Sequence, residues 1–407
     1  MNILGIETSC DETAISLIKT DDARNSVWVL GNTVHSQIDV HAPYGGVYPE
    51  LAKREHAKNL IPVLAQTLTQ ARALIPESHP LTQTQNEVIA QIFTYEPELL
   101  SAFKALIPTI QKPDVDLISI TVGPGLTPAL WVGINFARAL SIIWDIPLVA
   151  SNHMEGHILA ALIKKTQGEG AGDIDANNTY ALLDSDIAYP ALALLISGGH
   201  TQIVLVEAIG SYKILGQTRD DAVGECFDKI ARTLGLPYPG GPKISALAEE
   251  ARSQDIKSPE PLPRPMISSN DLDFSFSGLK TAVLYLTKKL TEGGGPLTPD
   301  QIKGIAREAE DAMTDVIVAK MRKAAEAHNV ATIIVGGGVI ANTHIRKALE
   351  SLANECGLAL LSPQIDHSTD NALMMALAGH FNRDKALAPG SPLKAYGTLP
   401  IGPTSIS

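Results

Sequence analysis

Two histidines four residues apart, in His153-Met154-Glu155-Gly156-His157, are the sharpest chemical signal in the chain. On a helix, positions i and i+4 share a face, so both imidazoles can reach one divalent ion. Ser151 and Asn152 are good N-cap residues for such a helix, whereas Gly156 lowers its propensity. An HExxH zinc protease carries its glutamate directly after the first histidine. Here that position is Met154, and Glu155 points elsewhere on the helix, which disfavours proteolysis. The histidine pair needs at least one more ligand. Asp370, in Ser368-Thr369-Asp370-Asn371 ahead of the run ALMMALAGHF, would complete a two-histidine, one-carboxylate set with positions open for substrate oxygens. The plainer role for Asp370 is a carboxylate at a helix start, and for the histidines a chance pairing.

Other acids are less distinctive. Asp11 and Glu12 sit in a tight turn between two apolar strands, where a polar turn is the ordinary explanation. Asp221, Glu225 and Asp228 occupy i, i+4 and i+7, an acidic helix face that is usually just solvated. Lying just ahead of Pro239-Gly240-Gly241-Pro242, a carboxylate there can instead accept ribose hydroxyls.

The elements that must carry these residues occur in pairs. Residues 3–18 and 191–209 each read as strand, tight turn, strand. Residues 117–140 run from strand LISITV through GPGL into a helical stretch, and residues 332–350 run from strand TIIV through GGGV into a helix. This order predicts an α/β half built twice around two mixed sheets, with glycine turns and helix N-termini suited to phosphate. Residues 301–328 place Ile302, Ile305, Ala309, Ala312, Met313, Val316 and Ile317 on one face of an amphipathic helix. We expect a first lobe over 1–150 with an insertion or mobile excursion near 75–112. A metal-histidine helix and inter-lobe connection should follow over 151–190, with a loop at 166–187. A second lobe is expected over 191–383, and a loosely ordered tail over 384–407.

With 407 residues, 45% of them hydrophobic and 19% charged, the chain has material for a large core and two or three domains. A net charge of −12 excludes nucleic-acid binding by bulk electrostatics, so such a partner needs a local basic patch or a helper protein. Basic clusters stand at Lys53, Arg54 and Lys58 and at Lys320, Arg322 and Lys323, and solvated helix faces explain them equally well. Cys10, Cys226 and Cys356 are too few and too far apart for a disulfide scaffold or thiolate zinc site, which fits a reducing compartment. The apolar stretch 126–150 contains Asn135, Arg138 and Asp145 and reads as buried helix and strand, not a membrane span. The N-terminus lacks the features of a signal or transit peptide. The expectation is a cytoplasmic protein with no membrane partner.

Together the motifs resemble the bacterial-type tRNA threonylcarbamoyladenosine transferases, the TsaD-like family once described as glycoproteases. The resemblance rests on ILGIETSCDET (3–13), HAPYGGVYPELAKREH (41–56), GPGL (123–126), NHMEGH (152–157) and LLISGGHTQ (194–202). It continues through DDAVGECFDKIARTLGLPYPGGP (220–242), LDFSFSGLKT (272–281), GGGVIAN (336–342) and STDNA (368–372), all in the expected order. It implies a duplicated actin/sugar-kinase-like (ASKHA) fold, two mixed-sheet lobes around a nucleotide cleft. The implied reaction moves the threonylcarbamoyl group of threonylcarbamoyl-AMP to the exocyclic amine of the adenosine 3′ of the anticodon, in tRNAs reading codons that begin with A. By the same resemblance His153, His157 and Asp370 hold one metal ion, iron or zinc. Leu195, Ile196, Ser197, Gly198 and Gly199 form the substrate loop, and Asp228, Gly241 and Asn342 are the remaining adenylate contacts. Asp11 or Glu12 is expected to take the amine proton. Implied partners are tRNA, a smaller paralogous subunit and an ATPase. An ATP-binding kinase or ATPase-like protein of the same fold is the alternative; it gives the histidine pair no role.

Overall fold

The computed structural model describes residues 1–166, 178–183 and 187–402, and the chain divides into two compact units. The first comprises Met1–Val40, Val47–Asp186 and Asp370–Ser407. Its sheet is built on β1 (Asn2–Glu7), β2 (Glu12–Asp21), β3 (Ser26–Ser36), β4 (Leu117–Gly123), β5 (Leu148–Asn152), β6 (Ile163–Lys165) and β7 (Thr179–Leu182), in the order β5-β4-β1-β2-β3-β7-β6. β1 pairs antiparallel with β2 and parallel with β4, and β4 runs parallel to β5. β1 and β4 are near-continuous apolar runs because parallel pairing buries both their faces.

After the four-residue α1 (Ile38–His41) come α2 (Pro49–Gln70), α3 (Gln83–Ile92) and α4 (Pro97–Leu106), then α5 (Thr127–Trp144) and α6 (His153–Ala160). Residues 75–112 are thus no mobile excursion. Thr82 and Gln85 form a capping box that starts α3. Phe93 and Phe103 are buried and packed ring to ring, and Phe103 meets Phe136 of α5 edge-on. Pro, Thr and Gln in the sequence mark helix starts and turns here, with the aromatic anchors coming later.

The second unit comprises His41–Gly46 and Ile187–Thr369. Its sheet contains β8 (Ala191–Ile196), β9 (Thr201–Ala208), β10 (Ser211–Gln217), β11 (Thr332–Gly336) and β12 (Ala359–Leu361), in the order β10-β9-β8-β11-β12. Helices α7 (Val223–Thr233), α8 (Gly240–Ser253), α9 (Ser277–Thr291), α10 (Pro299–His328) and α11 (Thr343–Cys356) complete it. The predicted helix at 301–328 is α10, its apolar stripe buried. β8 pairs antiparallel with β9 and parallel with β11, and β11 pairs parallel with β12. This is the connectivity of β1, β2, β4 and β5, so the duplicated α/β half expected from the paired motifs is present, in the actin/sugar-kinase-like form that the family resemblance implied.

Two boundaries differ from expectation. The final helix α12 (Ala372–Phe381) and Asp370 belong to the first unit, as does α6, so the second unit ends before them. α12 is apolar all round and wholly buried from Ala372 to His380, which requires packing on every side. Burial of Leu373, Met374, Met375 and Leu377 contributes roughly 1.5–3 kcal/mol each. The tail is ordered as far as it is described. Leu387 exchanges backbone hydrogen bonds with Leu148, Tyr396 N–H donates to Val122, and Leu393, Leu399 and Ile401 are buried. Most of the loop expected at 166–187 lies outside the described residues.

Candidate metal centre and glycine turns

The geometry of the first unit brings the histidine pair to a carboxylate two hundred residues away in sequence. The Asn152 side chain accepts from the N–H groups of Met154 and Glu155, so α6 starts where the sequence suggested, with His153 as its first residue. The two rings stand edge to face, centroids 4.7 Å apart. Asp370 precedes α12, but the cap of that helix is Asn371, which accepts from Met374 N–H. The helix-start explanation therefore belongs to Asn371 and leaves the Asp370 carboxylate for another task. α6 approaches α12 closely through Gly156, where an added Cβ would stand 2.0 Å from the Met375 terminal methyl. Ala160, Met374 and Met375 fill the rest of this contact.

The Asp370 Oδ1 lies 3.1 Å from His157 Nε2 and 3.5 Å from His153 Nε2. One ligand atom from each residue falls within 4.8 Å of the others. Two ligands at ~2.1 Å from a shared ion stand about 3.0–3.4 Å apart, so the spacing fits. His157 Nε2 is buried and has no hydrogen-bond partner despite its nearness to Asp370. An orphaned imidazole nitrogen facing a carboxylate at ligand spacing, with a second imidazole alongside, is a set that could hold a divalent cation. Without cysteine, the set does not select iron over zinc.

Burial penalises charge here, yet His153 and His157 hold the Asp370 carboxyl well below its usual range. Burial likewise opposes charge on His153, and Asp370 and Glu7 nonetheless raise its pKa well above that of an ordinary imidazole. Glu7, at the end of β1, was not singled out from sequence. Its Oε2 lies 3.2 Å from His153 Nδ1 and accepts from Thr121 Oγ1 at 2.5 Å, while its Oε1 accepts from Ser9 N–H at 2.5 Å. Burial raises the Glu7 carboxyl, but His153 brings it below its usual value on balance. The available signal was weak, an acid that closes an otherwise apolar strand and, once buried, needs a partner.

Asp11 lies where expected, buried in the β1–β2 turn, whereas Glu12 is the first residue of β2 and half-buried. Burial first, then Asp11 and Asp370, push Glu12 well up. Buried His56 fixes this turn: its Nδ1 is 2.7 Å from Thr13 Oγ1 and its Nε2 3.0 Å from the Cys10 carbonyl.

The remaining predicted residues belong to the second unit. Leu195 and Ile196 end β8, and Ser197, Gly198 and Gly199 form its turn to β9, closed by Ser197 N–H donating to His200. A Cβ on Gly198 or Gly199 would meet nothing within 4 Å, and neither has a left-handed φ, so packing does not ask for glycine there. Beside this turn lies Gly337, with φ of 93°, where a Cβ would stand 2.4 Å from the Ile196 carbonyl. Asp228 Oδ1 accepts from Gly240 N–H at 2.7 Å, the residue before Gly241, so this carboxylate orders the glycine turn that starts α8. A cavity of about 310 Å³ beside Asp228 is lined by Tyr44, Arg232 and Tyr238 among others. Arg232 donates to the Gly45 carbonyl, which ties residues 41–46 to this unit.

Asn342 caps α11 through Ile345 N–H and donates at 2.6 Å to Glu310, a fully buried carboxylate that Arg252 also binds. Glu310 too escaped the sequence reading, since it interrupts the apolar face of α10. The acids Asp221 and Glu225 do not form a merely solvated face, because Lys229 bridges both. Lys320 and Lys323 are likewise engaged, with the loop at residues 269–271.

Among the described residues no helix is long and apolar enough to cross a membrane. Component A of (R)-2-hydroxyglutaryl-CoA dehydratase from Acidaminococcus fermentans superposes with a TM-score of 0.45 at 14% identity, covering 95% of this chain and 99% of that one. The tRNA N6-adenosine threonylcarbamoyltransferase of Burkholderia mallei is 39% identical over 93% of this chain and 91% of its own length. The protein of the same name from Bacillus subtilis is 36% identical over 98% of both. Residues 28–77 and 97–377 match the family model described as TsaD: tRNA N6-adenosine threonylcarbamoyltransferase. Similarity that spans nearly the whole chain, His153, His157, Asp370 and the glycine turns included, places this protein in the TsaD family of tRNA N6-adenosine threonylcarbamoyltransferases.

Proposed function

We propose that this chain transfers the threonylcarbamoyl group of threonylcarbamoyl-AMP to N6 of the adenosine 3′ of the anticodon, with His153, His157 and Asp370 holding one divalent ion. The observation that carries the reading is the orphaned His157 Nε2 set 3.1 Å from Asp370. A bound ion of this kind supplies Lewis-acid polarisation and a template for substrate oxygens. The donor is a mixed carbamic–phosphoric anhydride. The amine nitrogen bonds to the carbamoyl carbon, the carbon–oxygen bond to phosphate breaks, and AMP leaves with the electron pair.

AMP is a good leaving group and the aryl amine a weak nucleophile, so positioning and oxyanion stabilisation carry the rate. The open backbone at Gly198 and Gly199 suits the phosphate, and Asp228, Gly241 and Asn342 suit the rest of the adenylate. The amine proton goes to the Asp11–Glu12 turn. Burial, then Asp11 and Asp370, push the Glu12 carboxyl up, which raises its affinity for that proton. The kinase-like alternative leaves the histidine–aspartate cluster without a task. We also assign a cytoplasmic location, and as partners tRNA, a smaller paralogous subunit and an ATPase.

Incubation with threonylcarbamoyl-AMP and unmodified tRNA, followed by nucleoside mass analysis with and without those partner proteins, tests the reading. The expected product is threonylcarbamoylated adenosine, and its absence under every combination contradicts the assignment.

A further inference from the structure

We propose that Glu7 is a positioning residue for the metal centre: its carboxylate fixes the proton of His153 on Nδ1 and so presents the Nε2 lone pair to the cation. The inference rests on the metal reading above and extends it to a residue outside the ligand set.

A buried carboxylate has few options. Ionised, it only accepts hydrogen bonds. Glu7 is fully buried at the end of β1. Its Oε1 takes Ser9 N–H and its Oε2 takes the Thr121 hydroxyl, each at 2.5 Å, which leaves one clear partner, His153 Nδ1 at 3.2 Å. Both locating bonds come from the sheet region itself, Thr121 from β4 and Ser9 from the turn that follows β1. The carboxylate is therefore held by rigid elements, and a ring nitrogen facing it must donate. That sets the tautomer: with the proton on Nδ1, Nε2 carries the lone pair and faces Asp370 at 3.5 Å. Among the described residues His153 is the basic side chain that faces Glu7.

Ser9 supplies the competing arrangement. Its Oγ lies 3.1 Å from the same Nδ1. Were that hydroxyl the donor, Nδ1 would be bare and the proton would sit on Nε2, where it would block coordination.

The test uses full-length protein and Zn2+ as the probe, with affinity read by competition against a chromogenic chelator. The visible spectrum of the Co2+-loaded protein serves as the geometric readout, and the melting temperature of the chelator-treated protein as the fold control. Glu7→Gln keeps the shape but adds an amide that can donate to Nδ1. We expect a 10- to 100-fold weaker Zn2+ affinity and an altered Co2+ spectrum. Ser9→Ala should leave Zn2+ affinity within about twofold, and Thr121→Val, which frees the carboxylate to turn, should fall between the two. Wild-type affinity and an unchanged spectrum in Glu7→Gln overturn the proposal, as does a large loss in Ser9→Ala with none in Glu7→Gln. If Glu7→Gln does not fold, the order of Thr121→Val and Ser9→Ala decides the same way. Failure of the wild-type chain to bind Zn2+ at all overturns the metal reading itself, and this proposal with it.

Discussion

The two units carry one strand order twice and load it differently. At the end of β1 the first unit has Glu7, Asp11 and Glu12, and α6 follows β5 with its histidines. At the matching end of β8 the second unit has Ser197, Gly198 and Gly199, with Gly337 and Gly338 after β11. One scaffold thus gathers carboxylates and imidazoles in one copy and bare backbone in the other, the contrast on which the proposed cation and phosphate sites rest. Strands set where chain ends lie, and the residues just past those ends set what they bind.

The comparison breaks most sharply at Asp370. Asp370→Asn should remove the metal and lower transfer about 100-fold or more, while adenylate binding, which we assign to the second unit, should be kept. Adenylate titration beside metal analysis checks both halves. Close-packed glycines give a matched pair of the next size. Gly156→Ala presses on the end of the buried Met375 side chain, which must repack, and should cost about 1–3 kcal/mol of stability together with about tenfold in Zn2+ affinity. Gly337→Ala should destabilise by a similar ~1–3 kcal/mol, from crowding and a strained left-handed φ, and leave Zn2+ affinity unchanged. Thermal melts and chelator competition on both variants tell whether the two sites are independently built.

Gly198→Ala sharpens the contrast further. With open space around its Cβ it should change stability by less than about 0.5 kcal/mol, yet weaken adenylate binding. Equal adenylate affinity would make that glycine a turn former only.

A further effect is electrostatic and confined to the second unit. Burial opposes charge on Asp311, but His344 and Arg252 lower its pKa to about 2. A carboxylate lowered on folding stabilises the protein above its unfolded pKa of 3.8, and that contribution is lost as pH falls through about 2. After solvent screening at a half-exposed group this amounts to about 1 kcal/mol. Asp311→Asn should therefore lose about that much at neutral pH and show a flatter acid limb between pH 4 and 2 in denaturant titrations.

What could be read from sequence follows from range. The paired hairpins and strand–glycine–helix units were legible because alternation and turn residues are local, and His153 and His157 because four-residue spacing is local too. Asp370 alone reads as a helix cap, and only geometry shows that Asn371 takes that role. Glu7 was hidden because one acid at a strand end looks like ordinary edge polarity. The tail was misread because its order comes from bonds to distant backbone, such as Asn152 donating to the carbonyls of Leu399 and Pro400, which leave no periodicity.

The claim beneath the whole account is that one divalent ion sits among three side chains of the first unit. Counting zinc per chain after loading and gel filtration, in the wild-type protein and in the His153→Ala, His157→Ala double variant, tests it most directly. About one ion per wild-type chain and none in a folded double variant is the predicted result. Equal zinc in both, or none in either, would contradict it.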